Sequence, residues 1–185
     1  MDKVKLHDKE FGISITPVQI KNAVSAIAAR MNQDLKGKDP LFLSILNGSF
    51  MFTADLLKMI DINCSVSFVK LSSYRGKSST GRVKELIGLN EDISGRTVVI
   101  LEDIVDTGTT LQSIVSQLKQ QNPRQVKIAT LLLKPDAFSG DIHLDYVGIE
   151  IPNDFIVGYG LDYNQLGRNL EGIYKILPDK AGQSV

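Results

Sequence analysis

The stretch "VVILEDIVDTGTT", residues 98–110, decides how this chain is read. Val98-Val99-Ile100-Leu101 is a short apolar run, as in a strand buried on both faces of a parallel sheet. Thr107-Gly108-Thr109-Thr110 is a turn of small residues opening into a helix. Backbone N–H groups and hydroxyls at a helix N-terminus suit a phosphate monoester, although Thr and Gly also cap helices that hold no ligand. Glu102, Asp103 and Asp106 stand directly against that turn, and carboxylates repel phosphates. The stretch therefore asks what ligand needs acids beside an anion grip.

Outward from it, the periodicity alternates strand and helix. Downstream, Leu111, Ile114, Val115 and Leu118 share one face of a helix that ends near 120–123, and "QVKIATLLLK", 125–134, is the next strand. Upstream, "LFLSIL", 41–46, is a second buried strand, and "NGS" turns the chain into a helix over roughly 50–60. "CSVSFVKL", 64–71, alternates as a half-buried strand should. "SSYRGKSSTG", 72–81, reads as a mobile loop from which "RVKELIGL" returns as a strand. Nearer the N-terminus, Thr16 is placed to cap a helix, with Pro17 first inside it and Gln19 completing a capping box. Ile20, Val24, Ile27 and Met31 fall on its apolar face, and Gly37 is its stop. The last third has short strand-like pieces and no convincing helix. The expected fold class is α/β: a central, mostly parallel sheet flanked by helices. One domain is expected over 1–185, with a small lobe formed by the N-terminal residues and roughly 145–177.

Bulk properties narrow the function classes. A chain of 185 residues buries roughly 70% of its unfolded surface and needs no covalent staples. Lys plus Arg is 21 and Asp plus Glu is 21, a formal charge of zero, which argues against a dedicated nucleic-acid binder. The single cysteine, Cys64, excludes an internal disulfide and is expected as a small buried residue on a strand. No apolar run reaches the roughly 18 residues of a membrane span, and "MDKVKLHDKEFG" lacks a signal-peptide core. A cytoplasmic protein without a membrane or nucleic-acid partner is expected.

In open α/β sheets, ligands sit beyond the carboxyl ends of the strands. "NGS", "EDIVDTGTT" and "KPDAF" each follow a predicted strand and so converge on one sheet edge. "GKS" at 76–78 is not the end of a nucleotide-binding P-loop, because that motif needs glycine where Leu71 stands.

"VVILEDIVDTGTT" closely resembles the phosphoribosyl-diphosphate signature of the type I phosphoribosyltransferases. "ILNGSFMFTADLL" resembles their pyrophosphate loop and following helix, and "LSSYRGKSSTG" their mobile catalytic loop, with Ser73 and Tyr74 as its Ser-Tyr pair. "LLLKP" and "IPNDFIVGYGLDYNQLGRNL" resemble the purine-binding lysine and hood of the hypoxanthine-guanine branch. The resemblance covers roughly 40–177.

It implies a purine-salvage transferase converting hypoxanthine or guanine and 5-phosphoribosyl 1-diphosphate to the nucleoside monophosphate (IMP or GMP) and pyrophosphate, with Mg2+ required. Glu102 and Asp103 would then accept the ribose 2′ and 3′ hydroxyls and favour a cationic sugar. Thr107, Gly108, Thr109 and Thr110 would hold the 5′-phosphate. Asp106 would face purine N7, as an acid–base catalyst or as a positioning acceptor. Lys134 would donate to the 6-oxo group and so select against adenine. Phe155 would stack on the purine, and main chain near Val157 would read its exocyclic edge. Asn47, Gly48 and Arg168 would bind pyrophosphate, and Asp162, with Glu102 and Asp103, would serve magnesium. The mobile loop would close over the reacting centre and exclude water. Family members form dimers or tetramers, so a homodimer or homotetramer is expected.

Three features depart from the family. Many mammalian-type members carry Lys-Gly where Asn47-Gly48 stands, preceded by a cis peptide that maps to Leu46–Asn47. "PDAF" after Lys134 lacks the arginines of some relatives, so the preferred base stays open. His7 and His143 match nothing and are expected at the surface. A different class with this fold, nucleotide-sensing regulators that bind RNA, is disfavoured by the zero net charge.

Overall fold

The computed structural model describes residues 3–72 and 85–178. Ser73 and Tyr74, and with them the expected mobile loop, lie outside the described residues.

The main sheet has six strands: β3 (Leu41–Leu46), β4 (Ser65–Ser72), β5 (Glu85–Ile87), β6 (Thr97–Val105), β7 (Gln125–Leu133) and β8 (Tyr146–Glu150). Their order is β5-β4-β3-β6-β7-β8, parallel except for β5, which returns antiparallel to β4. β3 and β6 sit in the middle, which explains their apolar runs, broken in β3 only by Ser44. Phe42, Val99 and Leu101 face one core, while Leu43, Val98 and Ile100 face the other.

Helices cover both faces. α1 (Pro17–Asp34) and α2 (Phe50–Leu57) lie on the first core, and α3 (Thr109–Lys119) on the second. α1 begins with the expected reciprocal capping box between Thr16 and Gln19 and buries Ile20, Val24, Ile27 and Met31. Gly37 takes a left-handed φ of 71° in the turn after the helix. α3 buries Leu111, Ile114, Val115 and Leu118.

A second, four-stranded antiparallel sheet joins both ends of the chain: β1 (Lys3–Leu6), β2 (Lys9–Ile15), β10 (Ile173–Ile176) and β9 (Ile156–Val157). It has its own small core of Phe11, Val157 and Tyr174. Tyr146–Glu150, expected in the small lobe, is instead the edge strand of the main sheet, because its backbone pairs in parallel with β7.

Two further expectations are corrected. Cys64 is exposed, one residue short of β4. In β4 it is Ser67 and Val69 that are buried, while Val66 and Phe68 are 41% and 45% exposed. Register with β3 sets Val66 and Phe68 beside Phe42 and Ser44, the face that α1 and α2 cover. Those helices pack over β3, β6, β7 and β8, leaving β4 beyond their cover. Among the described residues no helix is long and apolar enough to cross a membrane.

Candidate active site

Three turns leave the carboxyl ends of β3, β6 and β7 and meet at one edge of the main sheet. A cavity of about 370 Å³ opens there. Leu46 and Gly48 line it from the first turn, and Glu102, Asp103, Asp106, Thr107, Gly108 and Thr110 line it from β6 and the second.

The β6–α3 turn is shaped by Gly108, whose φ of 83° caps α3 in the left-handed region. Glycine there brings no capping side chain, so that position leaves the first-turn amides of α3 to other acceptors. Thr107 and Thr109 hydroxyls lie 3.1 Å apart, and the Thr109 N–H donates to Thr107 Oγ1 at 3.4 Å. Phe138, at the end of the 134–138 turn, packs under Gly108 so closely that a Cβ would meet its ring at 2.7 Å. The third turn thus supports the second.

Lys134 follows β7, and its N–H donates to the Val105 carbonyl at 3.0 Å. That bond brings Lys134 level with Asp106, and Lys134 Nζ lies 3.6 Å from Asp106 Oδ2. The lysine side chain is only 11% exposed, whereas Asp106 is 55% exposed. Lys134 is therefore not an ordinary solvated charge at a strand end.

Asp103 is a partly buried acid of the site. Burial pushes its carboxyl up to about 6, against backbone N–H bonds that favour the charged form; Arg168 lowers it and Asp162 raises it. Gly48 lies against this carboxylate, and a Cβ at 48 would overlap it. The first turn is thus pinned to β6 by a glycine. Its Leu46–Asn47 peptide is cis, and Asn47 is exposed. Behind the turn, Ser44, Ser49 and Thr53 form a buried hydroxyl chain, with 2.8 Å from Ser44 to Ser49 and 2.7 Å from Ser44 to Thr53.

The segment after β8 supplies the remaining wall. The Ile151 N–H donates to Leu133 O at 2.8 Å, which starts this segment at the same sheet edge as Lys134. Val157 is fully buried in β9. Phe155 is 48% exposed and meets the Tyr163 ring edge-on at 5.8 Å. Arg168 Nη2 pairs with Asp162 Oδ1 at 2.6 Å, while Arg168 Nη1 donates to Gly160 O at 2.6 Å. Gly160 in turn lies against the Gly48 carbonyl, which a Cβ would strike. Among the described residues no three His, Cys, Asp or Glu side chains cluster as a metal cage. Glu102, Asp103 and Asp162 therefore do not form one by themselves. His7 and His143 are exposed.

Sequence reasoning passed over Gly160, Phe138, and Tyr159 with its partner Asp55, whose phenol donates to Asp55 Oδ2 at 2.7 Å. The glycines flanking Tyr159 were the available signal for the first. The others act through contacts between distant segments and leave no local pattern.

A family model described as the phosphoribosyl transferase domain matches residues 16–164. The chain is 41% identical over 175 residues to a hypoxanthine-guanine phosphoribosyltransferase of Staphylococcus aureus (strain Mu50), covering 94% of this chain and 98% of that protein. It is similar to the crystal structure of a hypoxanthine phosphoribosyltransferase from Staphylococcus aureus, with a TM-score of 0.81 and 40% identity over 92% of this chain and 93% of that one. A hypoxanthine-guanine phosphoribosyltransferase from Bacillus anthracis superposes with a TM-score of 0.82 at 33% identity, covering 89% and 98%.

Proposed function

The chain belongs to the phosphoribosyl transferase domain family, and from that premise we infer that it is a purine-salvage transferase acting on hypoxanthine or guanine. The reaction joins purine N9 to C1′ of 5-phosphoribosyl 1-diphosphate and releases pyrophosphate. The observation that carries the reading is the Lys134–Asp106 pair, 3.6 Å apart, beside a phosphate-type turn. Lys134 donates to the purine 6-oxo oxygen, which an adenine amino group could not accept. Asp106 takes the proton at N7, or holds it by a hydrogen bond. Phe155 stacks on the base beside main chain at Val157.

Thr107, Gly108, Thr109 and Thr110 bind the 5′-phosphate through hydroxyls and helix-end amides. Glu102 and Asp103 accept the ribose hydroxyls, and their charge favours positive character at C1′. Asn47, Gly48 and Arg168 take the pyrophosphate oxygens, Arg168 through its planar fork.

Mg2+ fits the donor set. Glu102, Asp103 and Asp162 offer hard carboxylate oxygens without a closed protein cage, and Mg2+ characteristically shares one or two carboxylates with substrate phosphates and water. When bound, it neutralises charge on the diphosphate.

A homodimer or homotetramer in the cytoplasm completes this reading. It is supported by the lone cysteine and by the exposed apolar residues Val66 and Phe68 on β4.

The test is a panel of hypoxanthine, guanine, xanthine and adenine with phosphoribosyl diphosphate and magnesium, scored by pyrophosphate release. Release is expected with hypoxanthine or guanine and not with adenine. Release with none of the 6-oxopurines would sink the reading.

A further inference from the structure

We propose that Tyr159 and Asp55 are positioning residues that lock the turn carrying Asp162 and Arg168 to the helix behind Gly48, so that the two sides of the diphosphate site are set as one unit. The proposal rests on the transferase reading above and goes beyond it.

The link joins segments 104 residues apart in sequence: the Tyr159 phenol donates to Asp55 Oδ2 at 2.7 Å. Asp55 sits on α2, the helix that begins directly after the Gly48-Ser49 turn. Tyr159 immediately precedes Gly160, whose carbonyl takes Arg168 Nη1 and whose backbone lies on the Gly48 carbonyl. A shift of Tyr159 is therefore transmitted to both Arg168 and Gly48.

The backbone supports this direction of action. Tyr159 holds a left-handed φ of 46°, unusual for a bulky residue and persistent only where surroundings over-determine it. Its N–H donates to Leu170 O at 2.8 Å, and the Gly160 N–H to Arg168 O at 2.9 Å. Its side chain is 5% exposed. Burial, together with Asp55, raises the phenol far above its usual range, so it stays a donor at neutral pH. Burial acts to raise Asp55, but the bonds from Lys58 and Tyr159 hold it below its usual value, so it stays an acceptor. An open pocket of about 490 Å³, lined by Met51, Met59, Lys21 and Glu171, borders the bond on its other side.

The test compares the KM for phosphoribosyl diphosphate, the inhibition constant of inorganic pyrophosphate, the KM for hypoxanthine, and kcat. In Tyr159→Phe and in Asp55→Ala we expect the first two to rise about tenfold, with kcat and the hypoxanthine KM within about twofold. The double variant should be no worse than either single, since both remove one bond. Asp55→Asn keeps an acceptor oxygen and should restore the pyrophosphate constant to near its original value. Lys58→Ala removes an exposed partner of the other Asp55 oxygen, Oδ1, and leaves the Tyr159 bond to Oδ2 in place, so all four constants should stay within about twofold. Loss of thermal stability in Tyr159→Phe with unaltered diphosphate constants would overturn the proposal. So would an equal rise in both KM values, or additive effects in the double variant. An original chain that releases no pyrophosphate would instead fail the transferase reading itself.

Discussion

Asp106 and Lys134 are 3.6 Å apart, but they are not equivalent. The lysine is sheltered and the carboxylate is half exposed. A partner this exposed contributes little to folding, because solvent screens the pair. In the proposed reaction its value lies in facing an arriving base. Asp106→Asn is therefore expected to lower turnover by about 10²–10⁴-fold while leaving the unfolding midpoint nearly unchanged. Steady-state kinetics beside thermal melts check this. Asn keeps an acceptor oxygen but cannot take a proton, so a loss below tenfold would assign Asp106 to positioning alone.

Among the elements, α1 shows how local sequence acts without reference to the site. Thr16 accepts from the Gln19 N–H, and the Gln19 side chain accepts in return from the Thr16 N–H at 2.9 Å. Thr16→Ala removes one half of that exchange and is expected to cost about 1 kcal/mol of stability, read by denaturant unfolding. The β6–α3 turn depends instead on distant chain. Gly108 is packed on Phe138, which belongs to the turn after β7. The phosphate-type turn is local in pattern and tertiary in support.

For the whole molecule, the clearest energetic consequence of the site is the partly buried Asp103. Its carboxyl is raised from 3.8 to about 6. Raised above its unfolded value, it favours the folded state most when protonated, and this contribution is lost as pH climbs from about 4 to 6. In metal-free protein, Asp103→Asn should accordingly be more stable than the original chain above pH 6, by about 1–3 kcal/mol, with the difference vanishing below pH 4. Activity should fall in the same variant. Equal stability of the two chains at pH 7.5 would contradict the burial cost. Such a cost at a binding site is the usual mark of groups arranged for a ligand rather than for folding.

Sequence alone determined the alternation of strand and helix, because buried strands and amphipathic helices differ in period. It determined α1 down to its cap, since Thr16, Pro17 and Gln19 act within one turn. It also brought Asn47, Glu102 to Thr110 and Lys134 toward one edge, because turns after parallel strands share an end of the sheet. Tertiary structure decided the rest. Whether Val66 or Ser67 is covered depends on where α1 and α2 lie over the sheet, and alternation by itself is symmetric between faces. Tyr146–Glu150 went to the main sheet by pairing with β7, a choice its own residues do not encode. The contacts of Gly48 with Asp103 and Gly160, and of Tyr159 with Asp55, join segments far apart in the chain. No local period records them, because they exist only when backbones approach closely enough to exclude a Cβ or to place a phenol beside a carboxylate.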